Sequence, residues 1–350
     1  MQKPTFIGSE VRAVNVLPNR SLKDLLSTMA KTGFQGRGLA EVYEVMKEMM
    51  KDDEVTVLLG FAGSLSVVGQ WEIICWMIEN GMIDILVSTG ANISEDIVEA
   101  IGLSYYQITE SIDDASIFRN GYNRYLDVCC KETDYLRMTE LIAEFILTLE
   151  DKEIYTSREF LRLFGVWLDK KNIHCIVSSA AKHDVPIYCP AIADSPFGDA
   201  AILAKKDGYN LRIDGIEDYT EFISLTPNVR ETGVIYIGGG VPKDFIQLFA
   251  VTGSLQYDER KIPGRTGSSR EVPVDEMYYP HKYAVQITTD SPQWGGLSGC
   301  TFEEATSWGK ESSTSSFVQC YCDATIALPI IAHALCDDLE LPRKRSWIEE

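Results

Sequence analysis

The ten residues Thr301-Phe-Glu-Glu-Ala-Thr-Ser-Trp-Gly-Lys310 hold two carboxylates, Glu303 and Glu304, an indole, Trp308, and a primary amine, Lys310. Together they suit a small cationic amine as substrate. Acid groups grip its ammonium ends by charge-assisted hydrogen bonds, an indole face walls its methylene chain, and a neutral lysine attacks as nucleophile. The same residues have ordinary structural uses. Thr301 and Glu304 fit the T-x-x-E capping box of a helix start, Trp308 fits a core position, and most lysines are solvated. Local spacing leaves both readings open.

The elements that must position this stretch read as alternating helices and strands. Leu22, Leu25, Leu26 and Met29 mark a short helix. Leu39, Val42, Tyr43, Met46, Met49 and Met50 mark a longer one that ends at Lys51-Asp52-Asp53. Val55 to Gly60 reads as a buried strand running into the small-residue turn Phe61-Ala-Gly-Ser64, followed by a helix over 70–80 and a strand from Ile83 to Ser88. A parallel pair with a right-handed crossover is expected there. Thr89 to Asp96 predicts a loop entering a helix at Asn92 or Ser94, with Glu95 and Asp96 in the first turn, where the helix dipole favours acids.

Residues 104–134 have weak periodicity and predict a surface excursion or an oligomer contact. Helices are expected over 135–149, over 156–169 behind a capping box of Thr156 and Glu159, and over 172–183. Pro186 to Pro190 is a short strand whose exit loop is Ala193-Asp194-Ser-Pro-Phe-Gly-Asp199. After a helix over 215–224, the strand Gly233 to Ile237 ends in Gly238-Gly-Gly240-Val-Pro242. Consecutive glycines let backbone approach a ligand closely, and Pro242 suits a first helical turn. Residues 253–280 form a polar insertion not expected to carry core. Tyr283 to Ile287 and Phe317 to Tyr321 are the last strands, and Asp323 stands where it would cap a final apolar helix.

This alternation predicts the α/β class: a Rossmann-like, doubly wound, mostly parallel sheet. One domain over 21–340 is expected, between an irregular segment 1–20 and a polar tail 341–350. Ligands of such sheets gather outside the carboxyl ends of the strands. No G-x-G-x-x-G follows the first strand, so the triple glycine alone leaves a dinucleotide site undecided.

A chain of 350 residues, 45% apolar and 24% charged, can bury a large core as a soluble globular protein. Its net charge of −20 disfavours a nucleic-acid or anionic-membrane partner and suits cationic ones. The first twenty residues hold no apolar segment, so neither a secretory signal nor a membrane span is expected, and runs such as 324–335 are too short to cross a bilayer. Nine cysteines, an odd count without framework or zinc spacing, read as reduced thiols of a cytoplasmic protein with no metal centre.

Six stretches occur together in an order that resembles the deoxyhypusine synthase family: the turn after the first strand, Thr89–Asp96, Pro190–Asp199, Gly238–Lys243, Glu304–Lys310 and Tyr321–Asp323. Ser307-Trp-Gly-Lys310 is highly specific. The resemblance implies a homotetramer of Rossmann-like fold with NAD and spermidine bound at a dimer interface. Spermidine is oxidised with NAD, diaminopropane is released, and the aminobutyl group is held as an imine on a lysine. It then passes to a lysine of a translation initiation factor precursor. On this resemblance Lys310 is the carrier, and burial beside Trp308 near a cationic substrate would have to lower its pKa. Asp199 and Glu304 would grip the polyamine and Trp308 would wall it. Ser64, Thr89, Glu95, Asp194, Gly238, Gly239, Gly240, Ser298 and Asp323 would line the NAD site.

The departures are as specific as the matches. Where the family's eukaryotic members carry a catalytic histidine after the lysine of the triple-glycine stretch, this chain has Asp244. The proton transfer therefore passes to that carboxylate, to another group, or is lost. An acidic polyamine contact appears as Leu297, a nucleotide contact as Trp294, and the 253–280 insertion has no eukaryotic counterpart. The pattern resembles the divergent deoxyhypusine synthase-like branch of prokaryotes. It leaves putrescine as an alternative acceptor, and a catalytically impaired subunit that activates a paralogue as another reading. His281 could replace the imidazole only by folding back over the site, and an exposed histidine is expected instead.

Overall fold

The structure, a computed structural model, describes residues 7–109, 113–150, 154–256 and 279–343. Helices Leu22–Met29 (α1) and Phe34–Lys51 (α2) lead into strand Val55–Phe61 (β1), helix Trp71–Glu79 (α3) and strand Ile85–Ser88 (β2). Helix Asp96–Ala100 (α4) opens the excursion, which holds Tyr105–Gln107 (β3), Asp114–Arg119 (α5), Tyr122–Tyr125 (β4) and Val128–Lys131 (β5). Helices Glu132–Ile146 (α6), Ser157–Lys170 (α7) and Ile176–Lys182 (α8) follow, then strand Ile187–Tyr188 (β6) and helices Pro196–Lys206 (α9) and Gly215–Ser224 (α10). The last part comprises Glu231–Ile237 (β7), Gly240–Gln256 (α11), His281–Thr288 (β8), Phe302–Thr306 (α12), Glu311–Tyr321 (β9) and Ala324–Asp338 (α13).

The central sheet has the order β6-β2-β1-β7-β8-β9, and every pairing in it is parallel. This is the doubly wound α/β architecture expected from the alternation of elements. Every residue of β1 is buried, as a strand covered on both faces requires. One face carries Met46, Met49, Ile74, Phe160, Phe164 and Ile331 from α2, α3, α7 and α13. The other carries Phe222, Phe245, Ile246, Phe249 and Phe302 from α10, α11 and α12, packed on Leu58, Val234 and Tyr236. Among the described residues no helix is long and apolar enough to cross a membrane. All nine cysteines are unpaired.

Several boundaries differ from expectation, each for a local reason. The helix expected to open at Asn92 or Ser94 begins at Asp96. Asn92 is otherwise engaged: its Oδ1 accepts from Leu65 N at 2.7 Å and its Nδ2 donates to Phe61 O at 3.3 Å, which ties the turn after β1 to the turn after β2. Residues 104–134 contain a three-stranded antiparallel sheet, β3-β5-β4, whose short, half-exposed strands carry too few apolar residues to show a period. The helix expected over 172–183 starts only at Ile176, since Asn172 takes a left-handed φ of 56° just past α7. β9 starts at Glu311 rather than Phe317. After Glu311 it runs through serine and threonine, with Ser315 Oγ accepting from Ser312 N at 3.0 Å, across a register irregularity. Of the insertion expected over 253–280, the first four residues continue α11 and 257–278 lie outside the described residues.

Candidate active site

Strand order reverses between β1 and β7, so their carboxyl ends open the crevice in which such sheets bind ligands. Gly238, with φ of 74°, and Gly240, with φ of 58°, take turns that L side chains resist. Gly240 N donates to Ser298 Oγ at 2.9 Å, and a Cβ on Gly239 would lie 2.5 Å from Ser298 Cα. Gln286 Nε2 fastens both sides, donating to Gly238 O and Ser298 O at 2.8 Å each. Across the crevice Thr89 Oγ1 donates to Gly63 O at 2.8 Å, and Ser64 Oγ donates to the Glu95 carboxylate. Glu95 is buried, and desolvation raises its carboxyl pKa although Ser64 and Tyr125 hydrogen-bond it. A glycine cradle at the positive end of a long helix fits a pyrophosphate, and a buried carboxylate beside it fits ribose hydroxyls.

Asp194 and Asp199 are exposed around the start of α9. Asp199 faces Tyr135, whose hydroxyl pKa is raised by burial first and then by the charges of Glu95 and Asp199. Asp323 caps α13, accepting from Thr325 N and Oγ1 at 2.8 Å each. Among the described residues no hydrogen bond or ion pair joins Asp194, Asp199 or Asp323 to Lys310.

Lys310 immediately precedes β9, and α11 leads to it from the crevice. Its Nζ donates to Asp244 Oδ1 at 3.2 Å and to Gln247 Oε1 at 3.3 Å. Asp244 and Gln247 follow Gly240 by four and seven residues, so the amine is met about 6 to 10 Å along the helix from the cradle. Lys310 is 7% exposed, whereas Trp308 is 61% exposed, with the Lys310 Nζ 5.7 Å from its ring centroid. The indole therefore forms a rim rather than core. Thr301 Oγ1 accepts from Glu304 N at 3.1 Å, so the cap is formed while the Glu304 side chain remains at the surface. The cap thus leaves the Glu304 carboxylate and the Trp308 indole exposed.

Four further side chains stand around Lys310 that the sequence reading did not assign to the site. Lys243 is fully buried, donates to Gln286 Oε1 at 2.9 Å and Cys300 O at 2.7 Å, and has its pKa lowered to about 8 by burial. Gln247 and Glu311 are fully buried as well. His281 is the correction: expected at the surface, it has no solvent exposure, its Nδ1 lies 2.7 Å from Thr232 Oγ1, and its backbone N donates to Lys310 O at 2.9 Å. Its place as the first residue of β8, directly opposite Glu311, put it inside. Gln247, one helical turn past Lys243, was the one of these open to a periodicity argument.

Fold and site define a doubly wound α/β protein in which one helix runs from a glycine-lined crevice to a buried lysine. The chain belongs to the deoxyhypusine synthase family, whose model matches residues 24–335. It is 44% identical over 308 residues to "Probable deoxyhypusine synthase 2" of Archaeoglobus fulgidus, covering 88% of this chain and 95% of that one. It is 36% identical to "Probable deoxyhypusine synthase 1" of the same organism, covering 90% and 94%. The fold matches a crystal structure of an Entamoeba histolytica protein described as a candidate deoxyhypusine synthase, with a TM-score of 0.64 and 18% identity over 97% of this chain and all of that one. These relatives imply a transferase.

Proposed function

We propose that this protein transfers the 4-aminobutyl group of spermidine, through an imine on Lys310, to a lysine of a translation initiation factor precursor. The observation that carries the reading is the Lys310 amine, sheltered from solvent yet bordered by an open rim and a carboxylate, and linked by α11 to the glycine cradle. Gly238 to Gly240 would hold the pyrophosphate of NAD, with Ser298 bracing them and Ser64, Thr89, Glu95, Asp194 and Asp323 about the rest of the cofactor. When bound, NAD supplies the hydride acceptor that oxidises spermidine and returns the hydride to the product. Asp199 and Glu304 take the ammonium ends, which suits their exposure to an arriving dication, and Trp308 walls the methylenes.

Asp244 holds Lys310 by an ion pair at 3.2 Å until a cationic substrate competes for the carboxylate. The Lys310 nitrogen then bonds the butyl carbon while that carbon's bond to diaminopropane breaks. The acceptor amine later displaces Lys310 at the same carbon. Val241, Trp294 and Trp308 leave apolar surface exposed around the mouth, which supports a homotetramer whose sites lie against a second copy. The test is to incubate the protein with spermidine and NAD, reduce with borohydride, and map the adduct by peptide mass spectrometry. An aminobutyl group on Lys310, absent from Lys310→Ala, is the expected result; no adduct overturns the reading. Chasing the loaded protein with precursor protein or with putrescine identifies the acceptor.

A further inference from the structure

Behind Lys310, between α11 and the starts of β8 and β9, lies a set of polar groups that the transfer reading leaves unused. Glu311 is fully buried, and neither carboxylate oxygen has a hydrogen-bond partner among the described residues. Gln247 Nε2 and Tyr236 Oη are likewise buried and unpartnered, and His281 Nε2 is buried without a partner in good hydrogen-bond geometry, its ring lying near the Ile246 backbone. They adjoin one another: the Gln247 amide faces Glu311 without reaching hydrogen-bond geometry, the Glu311 charge acts on Tyr236, and His281 is the register partner of Glu311 across β8 and β9. Buried polar atoms are almost always satisfied by protein or by water, so this cluster calls for an internal water or a partner within itself.

The groups around Glu311 and Lys310 differ in what they can exchange. Lys243 and Gln247 come from α11, with Asp244 on the same helix but partly exposed at the mouth, Tyr236 from β7, His281 and Gln286 from β8, and Cys300 from the loop before α12, with Glu304 beyond it. Burial, reinforced by the Lys310 charge, pushes the His281 imidazole down to about 3, so it stays neutral. Lys243 is held by two hydrogen bonds. Burial pushes the Glu311 carboxyl up to about 8, against the pull of Lys243 and Lys310, so the carboxylate that can take a proton is the main form only on the alkaline side of that value. Gln247 stands between it and the nucleophile, with its Oε1 already on Lys310 Nζ at 3.3 Å.

We propose that Glu311 is the internal proton partner of Lys310: it takes up the proton the Lys310 nitrogen sheds on loading and returns it when the acceptor amine displaces the lysine. On loading, a Lys310 N–H bond breaks and a Glu311 O–H bond forms, so an ammonium and a carboxylate become an amine and a carboxylic acid with no change in net charge. Removing both charges from an enclosed space is what favours the exchange. Asp244 stands on the mouth side, where the cationic substrate competes for it, and Glu311 has no such competitor. Glu311 thus acts through Lys310 and never on the substrate. Its role in loading rests on the transferase reading; its pairing with Lys310 does not.

Two measurements on full-length Glu311→Gln test this. The first is acetylation of Lys310 by acetic anhydride from neutral to alkaline pH, read by peptide mass spectrometry. A paired carboxylate favours the protonated amine, so the labelling midpoint should fall by roughly one pH unit in the variant. The second is the rate of borohydride-trappable imine formation with spermidine and NAD, expected to drop about 100-fold or more for want of the proton acceptor. The variant's lysine therefore becomes more reactive towards the reagent and slower with its substrate. Glu311→Asp, which keeps the acid, should label like the wild type and recover part of the loading rate. An unchanged midpoint in Glu311→Gln overturns the pairing, and loading that quickens in step with labelling overturns the proton-transfer role. A wild type that forms no imine overturns the transferase reading and with it the transfer role, while the midpoint still decides the pairing.

Discussion

The cradle at the crevice is narrow enough for one methyl group to test it. In Gly239→Ala the added Cβ would lie 2.5 Å from Ser298 Cα and 2.7 Å from Ser298 Cβ, a collision with backbone that no rotamer relieves. Ser298 has little room to retreat. Its Oγ accepts from Gly240 N at 2.9 Å, its O accepts from Gln286 Nε2 at 2.8 Å, and a Cβ on the adjacent Gly299 would lie 2.6 Å from Ser291 O. Overpacking of about 1–3 kcal/mol and loss of a hydrogen bond of about 1 kcal/mol together predict destabilisation of roughly 2–4 kcal/mol. Because the strain falls where NAD is proposed to bind, its Kd should rise about 10- to 100-fold, the equivalent of about 1.4–2.8 kcal/mol. Urea unfolding followed by tryptophan fluorescence reads the first quantity and calorimetric titration the second. Two controls separate space from strain. Gly296→Ala meets no heavy atom within 4 Å and should change stability by less than about 0.5 kcal/mol. Gly240→Ala is equally open but has φ of 58°, and should cost about 1–2 kcal/mol. A Gly239→Ala protein with wild-type stability and wild-type NAD affinity would refute the cradle argument; lost stability with intact NAD binding would refute its placement of the cofactor.

Three other perturbations address the rim, the far end of the sheet and a buried acid. Trp308→Ala removes an indole that is mostly solvated, so the urea midpoint should hardly move while the spermidine KM rises about 10-fold or more, in line with a lost cation-π wall. Arg343→Ala leaves Asp84 buried without the guanidinium that pairs with it at 3.2 Å and also bonds Gly81 O and Val55 O; unfolding free energy should fall by about 3–5 kcal/mol. Asp96 is fully buried, and desolvation raises its carboxyl pKa from 3.8 to about 7. A pKa raised on folding gives stability that is full below the unfolded value and lost as pH rises through the folded one. The wild type should therefore lose stability between about pH 4 and 7 on this account, and Asp96→Asn, whose Oδ1 can still accept from Ile176 N, should flatten that slope in pH-dependent urea titrations.

How much of this could be read from the sequence depends on whether the signal was local. β1, β7 and α2 announced themselves because burial on one or both faces leaves an apolar period or run. The turn glycines were legible because backbone conformation restricts residue type at single positions, and Lys310 stood out by the residue types around it. The small antiparallel sheet was hidden by strands of three and four residues with solvated faces, and the first part of β9 by its hydroxyl-rich composition. Local sequence also places His281 and Glu311 wrongly or not at all. Each follows or precedes a polar stretch, and nothing nearby in the chain says that β8 and β9 begin level with each other under α11.

That pairing explains why the departures from the eukaryotic pattern need not signal a dead site. Replacing a histidine by Asp244 removes an imidazole from the mouth, but the register of β8 and β9 sets a neutral imidazole and a titratable carboxyl behind the same lysine. Under the proposed transfer, proton traffic can then run on the inner side of Lys310, which leaves the outer side to the charge of the polyamine. A chain built this way should tolerate Asp244→Asn better than Glu311→Gln in the loading step, because the first variant loses an ion pair that substrate must break in any case and the second loses the acceptor. Single-turnover imine formation by the two variants measures the order directly, and the reverse order would return the proton transfer to Asp244.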